Sequence, residues 1–273
     1  EIGVRLVGSE MCIRDRHSFA AFSGDAMPMN EVFTPGRLKE YEDWLLQRRL
    51  SWNTISTYMR TLQAVYNRLS PPGTPEHNPR LFDDVYTKVK SQIKRALTEE
   101  QMGRLMHADL DVLSEELQRV QAYFLLMFLF RGMPFIDLAH LRKRDVKDGK
   151  IAYRRHKTGK QITLRIPREA LPLLKEFKDK DETSLYLFPI LNVAPEGDDA
   201  LYECYQKALR NFNKMLRVLA KRLLPGIKIS SYTARHTWAT LAYHIGMPIG
   251  IICQALGLSL IHISEPTRRT PIS

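Results

Sequence analysis

The stretch Ser231–Gly257, SYTARHTWATLAYHIGMPIGIICQALG, decides how the rest of the chain is read. Ala234, Trp238, Leu241, Ala242 and Ile245 recur at helical spacing, which predicts an amphipathic helix over the first half. Gly246 is a C-terminal stop, and Pro248 restarts the chain as a second helix through Ile251, Ile252, Ala255 and Leu256. Arg235 falls at the start of the first helix and off the apolar stripe. By position alone it reads as a solvated charge; only its surroundings make more of it.

The chain has 273 residues, a formal net charge of +11 and an isoelectric point near 9.6. That length supports one or two domains with a real core. The charge suits a polyanionic partner without identifying one. Three cysteines without paired spacing argue for a reducing compartment, and against a disulfide frame or a zinc site. The longest uncharged apolar run in the middle, Ala122–Phe130, is nine residues. It is too short to span a bilayer and predicts a buried helix, with no membrane partner. No internal repeat or low-complexity segment is visible.

Both ends read as foreign. Glu10–Asp15 (EMCIRD) and Leu258–Ser264 (LSLIHIS) admit codings that are reverse complements of one another, and RLVGS at Arg5–Ser9 with EPTR at Glu265–Arg268 continue the complementarity. Both ends resemble translated read-through of a transposase-type sequencing adapter, and are excluded from fold reasoning. The remaining chain, His17–Gly257, keeps a net charge of +10 and only Cys204 and Cys253.

Residues 17–32 show no sustained period and read as a loop or lead-in. Thr34-Pro35 opens a helix with Leu38, Tyr41, Trp44 and Leu45 on its apolar face. Asn53 is positioned to cap a second helix, with Ile55, Tyr58, Leu62, Val65, Tyr66 and Leu69 inside and Arg60, Asn67 and Arg68 exposed. Lys88–Arg95 (KVKSQIKR) carries four basic residues and no acid, and Thr98–Gln101 is a capping box that opens a new helix and a new domain. Glu116–Phe130 is apolar all round after Gln121, the pattern of a helix buried on every side. Asp148-Gly149 is a hairpin-style turn, and two strands, Ile151–Tyr153 and Ile162–Pro167, flank the basic loop KTGK, Lys157–Lys160. A short helix at Glu169–Phe177, a buried extended segment at Leu185–Leu191 and a long amphipathic helix opened by Asp198-Asp199 follow. Cys204 and Tyr205, on that long helix, read as packing residues.

Three boxes now stand in order. ARHTWAT with QALG resembles the second conserved box of the tyrosine recombinases, the phage-integrase family, in which an Arg binds the scissile phosphate; Arg235 matches it. RGMPFIDLAHL, Arg131–Leu141, resembles the first box in the form found in Bacteroidetes-type integrases. Aligning Gly132-Met133 and Asp137-Leu138 puts Pro134 where the family has its first Arg. Arg131, three residues earlier, is the substitute if the backbone there is helical, and otherwise a residue capping the preceding helix. KTGK resembles the family's β-hairpin, whose Lys protonates the leaving 5′ oxygen; Lys157 is the match, and without the other boxes it reads as a solvated hairpin tip.

The resemblance implies a mainly α fold with a small β-hairpin or sheet. It also implies a helical core-binding domain over residues 17–95, followed by an incomplete α+β catalytic domain over residues 96–257, with adapter-derived tails at 1–16 and 258–273. The implied reaction is DNA strand breakage and rejoining through a 3′-phosphotyrosine. It acts on double-stranded DNA, with no metal or nucleotide cofactor, in a tetramer assembled on DNA, in the bacterial cytoplasm at the nucleoid. Guanidinium groups stabilise the charge on the non-bridging oxygens and a lysine supplies the proton. Two departures stand out. Tyr232 occupies the position where the family commonly has His, and is expected to neighbour the phosphate. No tyrosine follows Tyr243, so the expected nucleophile is missing and the chain as written is expected to be inactive. The competing reading is a non-enzymatic helix-turn-helix binder using Ser231–Leu256 as its reader, which leaves the first box and the hairpin without a purpose. An RNA-binding protein or scaffold is a third reading and lacks interleaved aromatics on a strand platform.

Overall fold

The computed structural model describes residues 18–24, 29–88, 96–108, 113–191 and 198–258. The two tails read as foreign, apart from Leu258, and the basic stretch after Lys88 lie outside the described residues. The chain divides into two compact units, residues 1–93 and 94–273.

The first unit is helical. Residues 18–23 form α1, followed by α2 (Met29–Val32), α3 (Pro35–Gln47) and α4 (Trp52–Leu69). The lead-in expected to be a loop is therefore partly helical, because Phe19 and Phe22 find ring partners in Tyr41 and Trp44 of α3. Thr34 caps α3 as expected, accepting from the Arg37 N–H. Ser51, not Asn53, caps α4: its extended backbone lets its hydroxyl accept from Thr54 N. The buried stripe of α4 runs through Ile55, Tyr58, Met59 and Tyr66 and leaves Val65 and Leu69 exposed. The apolar arc in the sequence is thus wider than the face that α3 covers. Glu42, buried on α3, accepts from Tyr86 N at 2.6 Å and pairs with Lys39. This tie holds the segment beyond α4 against α3.

The second unit is mainly helical with one small sheet. Thr98 closes the expected capping box at the start of α5 (Glu99–Met106). Next comes α6 (Glu115–Leu129), buried on every side from Gln121 to Met127, which packs against α8, α9 and α10. Short α7 (Phe135–Ala139) leads into a 3-10 turn, Lys143–Asp145. The sheet has three antiparallel strands in the order β1 (Val146–Lys147), β2 (Lys150–Arg154) and β3 (Gln161–Arg165). Its first strand went unpredicted; Asp148 and Gly149, both at positive φ, make the tight β1–β2 turn. Then come α8 (Ala170–Phe177), α9 (Asp198–Leu223), α10 (Ser231–His244) and α11 (Ile249–Ala255). Between α8 and α9, Tyr186 makes one isolated bridge to Arg142 instead of a strand, and Leu185 faces solvent while Leu187 and Phe188 are buried.

Two ties place α10. Leu97 N donates to the buried Thr237 hydroxyl at 3.0 Å, and Ser231 N donates to Asn213 Oδ1 of α9 at 2.8 Å. Ile245, expected on the apolar stripe, is 79% exposed because it caps α10 beyond the region α6 covers. Among the described residues no helix is long and apolar enough to cross a membrane.

Candidate active site

Arg235 is the first departure from the sequence reading. It is only 6% exposed, on the same face as Ala234, Trp238 and Ala242. That face packs on both α6 and α11, so the buried arc of α10 is wider than its apolar stripe. A guanidinium is tolerated there because backbone carbonyls receive it: Nη1 donates to Gly132 O at 3.0 Å, and Nη2 to Leu256 O at 2.7 Å. Burial and the charge of Arg155 pull its pKa below the ordinary value, while Tyr232, Tyr153 and Asp137 oppose the shift. An arginine still keeps its proton under such a shift.

Arg155 is the residue that the sequence reading missed. It is 5% exposed, and its Nη1 donates to Leu256 O and to Gly257 O, both at 2.8 Å. The two guanidiniums therefore share the Leu256 carbonyl at the C-terminal end of α11, where helix carbonyls lack partners of their own. The signal was present in the sequence. Ile151 and Tyr153 point inward on β2, and carrying that alternation one step further turns Arg155 inward and Arg154 outward.

Asp137 of α7 is the one carboxylate in this group. Its Oδ1 accepts from His156 N at 2.9 Å, and its Oδ2 lies 4.0 Å from Arg155 Nε. Neither Oδ2 nor that Nε has a hydrogen-bond partner. Burial raises the Asp137 pKa, against the pull of the His156 amide and of Arg155. The Asp of the FIDLA helix thereby orients the start of the hairpin loop that carries Lys157. That loop is closed by Arg155 N to Lys160 O at 2.9 Å and Gly159 N to Arg155 O at 2.8 Å, and Lys157 is exposed within it.

The other expected residues sit at the margin. Arg131 follows α6 with φ 59° and is exposed, so the helical backbone on which its role depended is absent at that point. It stands next to Gly132, whose carbonyl holds Arg235. Tyr232 is exposed in the first turn of α10, with its ring edge-on to His236 at 4.7 Å. Pro134 sits just before α7 as its N-cap residue.

Two glycines are required by close approach. Gly132 has φ 69°, and a Cβ there would lie 3.0 Å from Arg235 Cα. At Gly257, φ 64°, a Cβ would lie 2.8 Å from Ile162 Cδ1 and 3.0 Å from Arg155 Cδ. Gly132→Ala is expected to cost about 1–3 kcal/mol of stability in urea unfolding. In a chain extended by a segment carrying a nucleophilic tyrosine it should also lower cleavage beyond that loss, because the displaced backbone carries the carbonyl that seats Arg235. A fully active, equally stable variant would show that this seat is dispensable.

A buried pair of guanidiniums, Arg235 and Arg155, thus stands beside the hairpin loop that carries Lys157. The sequence profile described as the Phage integrase family matches residues 95–264. The tyrosine recombinase XerA of Pyrococcus furiosus is 28% identical over 222 residues, covering 78% of this chain and 70% of the relative. Two solved structures share the fold. One is the Tn1549 transposon integrase with a circular-intermediate DNA, at a TM-score of 0.62 and 17% identity, covering 91% of this chain and 85% of that one. The other is a lambda integrase tetramer bound to a Holliday junction, at a TM-score of 0.62 and 14% identity, covering 97% and 72%. The chain belongs to the phage integrase family, and its function is that of a site-specific tyrosine recombinase. The non-enzymatic helix-turn-helix reading is not favoured.

Proposed function

We propose that this protein breaks and rejoins double-stranded DNA at a scissile phosphate held by Arg235 and Arg155 together. The observation that carries this reading is the shared Leu256 carbonyl. Two buried guanidiniums meet there with a single carboxylate nearby, leaving positive charge and unused N–H groups for an oxyanion. A tyrosine oxygen attacks phosphorus as its proton passes to water, the 3′-phosphotyrosine forms as the bond to the 5′ oxygen breaks, and the 5′ oxygen leaves with a proton from Lys157. Asp137 positions Arg155 and the Lys157 loop. Arg131, exposed at the rim, contacts a flanking phosphate, and Tyr232 contributes a hydroxyl beside Arg235.

In this reading residues 17–95 are a core-binding domain that clasps the duplex, residues 96–257 are the catalytic domain, and the segments 1–16 and 258–273 take no part. Recombination proceeds in a tetramer on DNA, as in the lambda integrase assembly on a Holliday junction. The setting is the bacterial cytoplasm at the nucleoid, in an integrase of the Bacteroidetes type.

The general-acid role has a direct test in a chain extended by a segment carrying a nucleophilic tyrosine. Lys157→Ala is expected to slow cleavage by roughly 10²–10⁴-fold on an ordinary substrate. Replacing the leaving 5′ oxygen by sulfur should restore most of the rate, since a thiolate departs without a proton. Equal defects on both substrates would remove Lys157 from that role.

A further inference from the structure

Asp137 also lines a cleft of about 450 Å³ between β2 and the 3-10 turn. Three guanidiniums line it from three segments: Arg142 at the bridge to Tyr186, Arg144 in the turn and Arg154 on β2. Among the described residues none of the three is paired with a carboxylate. Two imidazoles complete the lining, His140 and His156, with ring centroids 4.9 Å apart and planes at 77°. The volume is that of ligand clefts in general, about 300–1000 Å³, but those are mostly apolar and this one is cationic. Two carboxylates oppose an anion here. Asp145 accepts from Arg142 N at 2.9 Å, and Asp137 is committed to His156 N and faces Arg155. The cations outnumber them.

We propose that this cleft seats a second backbone phosphate of the DNA, gripped by Arg142, Arg144 and Arg154. The proposal rests on the recombinase reading and extends it. The cleft opens beside His156, which immediately precedes Lys157, and Asp137 forms a wall common to the cleft and to the Arg155 site. A strand entering the active site therefore has a cationic seat for a neighbouring phosphodiester.

His140 makes the second seat dependent on pH. His140 donates Nδ1–H to Ile136 O at 2.8 Å, which leaves Nε2 to serve the cleft. Burial holds its pKa low, with further lowering from His156 and Arg142 and an opposing effect from the Ile136 bond. The rings of Tyr186 and Tyr205 pack on its other sides. With the cleft empty His140 is neutral at pH 7, and a bound phosphate favours its protonation. Affinity for DNA should therefore rise as pH falls, by up to about tenfold if the His140 pKa moves one unit on binding.

The test is equilibrium binding of the 273-residue chain to a fluorescent duplex across a salt series. Arg144→Gln combined with Arg154→Gln should reduce the slope of log Kobs against log salt by about 0.9 for the one phosphate released. Both residues are exposed, and an unchanged melting temperature confirms an intact fold. Between pH 7.5 and 5.5 the wild-type chain should gain affinity, and His140→Gln should lose most of that gain. An unchanged salt slope in the double variant, with wild-type binding intact, overturns the seat. Imidazole resonances of His140 and His156 that respond to inorganic phosphate but not to duplex would make it a small-anion site and overturn the DNA assignment. A wild-type chain that fails to bind duplex at low salt would instead bring down the recombinase reading beneath it.

Discussion

Arg155→Ala is expected to lower DNA cleavage by roughly 10²–10³-fold, the usual consequence of removing one aimed donor from a developing oxyanion. The family's first arginine position holds Pro134, which offers no donor. Arg131, the sequence-based substitute, is exposed on a left-handed residue, whereas Arg155 is buried beside Arg235 and shares its carbonyl anchor. A rim arginine contributes to phosphate neutralisation and hence to affinity. Arg131→Ala should therefore weaken binding and flatten its salt dependence, with little change in the rate once bound. Because alanine at position 155 also leaves Asp137 facing no cation on that side, Arg155→Lys is the companion variant. It keeps the charge and loses the planar fork, so folding should recover while cleavage stays low. The measurement is single-turnover cleavage of a suicide substrate, with the chain extended by a tyrosine-bearing segment. Normal cleavage by Arg155→Ala together with inactive Arg131→Ala would return the second guanidinium to Arg131.

The 273-residue chain itself should form no covalent adduct with DNA. Tyr243 is exposed, but it lies eight residues beyond Arg235 on α10, roughly 12 Å along the helix axis. Tyr153 is nearer to the guanidinium pair, yet it is buried. Its hydroxyl pKa is raised by burial and by Asp137, against the pull of Arg155 and Arg235, so it stays protonated and inaccessible to a strand. Tyr232 is the internal candidate with both exposure and proximity, being in the first turn of α10 and close enough to influence the Arg235 charge. It lies three residues before Arg235 in the same helix, with its ring edge-on to His236, so its hydroxyl is the internal one to test. A labelled suicide substrate resolved on a denaturing gel decides the matter. An adduct from this chain, lost in Tyr232→Phe, would make Tyr232 the nucleophile. DNA binding without an adduct means that no tyrosine within the 273 residues serves as the nucleophile.

Local chemistry carried most of the fold. The Thr98–Gln101 box, the all-round apolar run of α6, the Asp148-Gly149 turn and the Gly246-Pro248 break act within a few residues of themselves, so their outcome is written in neighbouring side chains. Where local signals failed, a distant partner had intervened. Phe19 and Phe22 are helical because α3 supplies rings to meet them, and Val65 and Leu69 are exposed because, among the described residues of the first unit, no element covers their side of α4.

The site divides the same way. Sequence by itself determined the family and singled out Arg235 and Lys157, since both lie in short strings that resemble the family's boxes. Only the tertiary structure decided that Arg235 is buried and that Arg155 joins it, through carbonyls contributed from residues far apart in the chain. The physical reason is the cost of burying charge. A guanidinium enters a core only where acceptors converge, and here they come from the turn after α6 and the end of α11, which chain folding alone brings together.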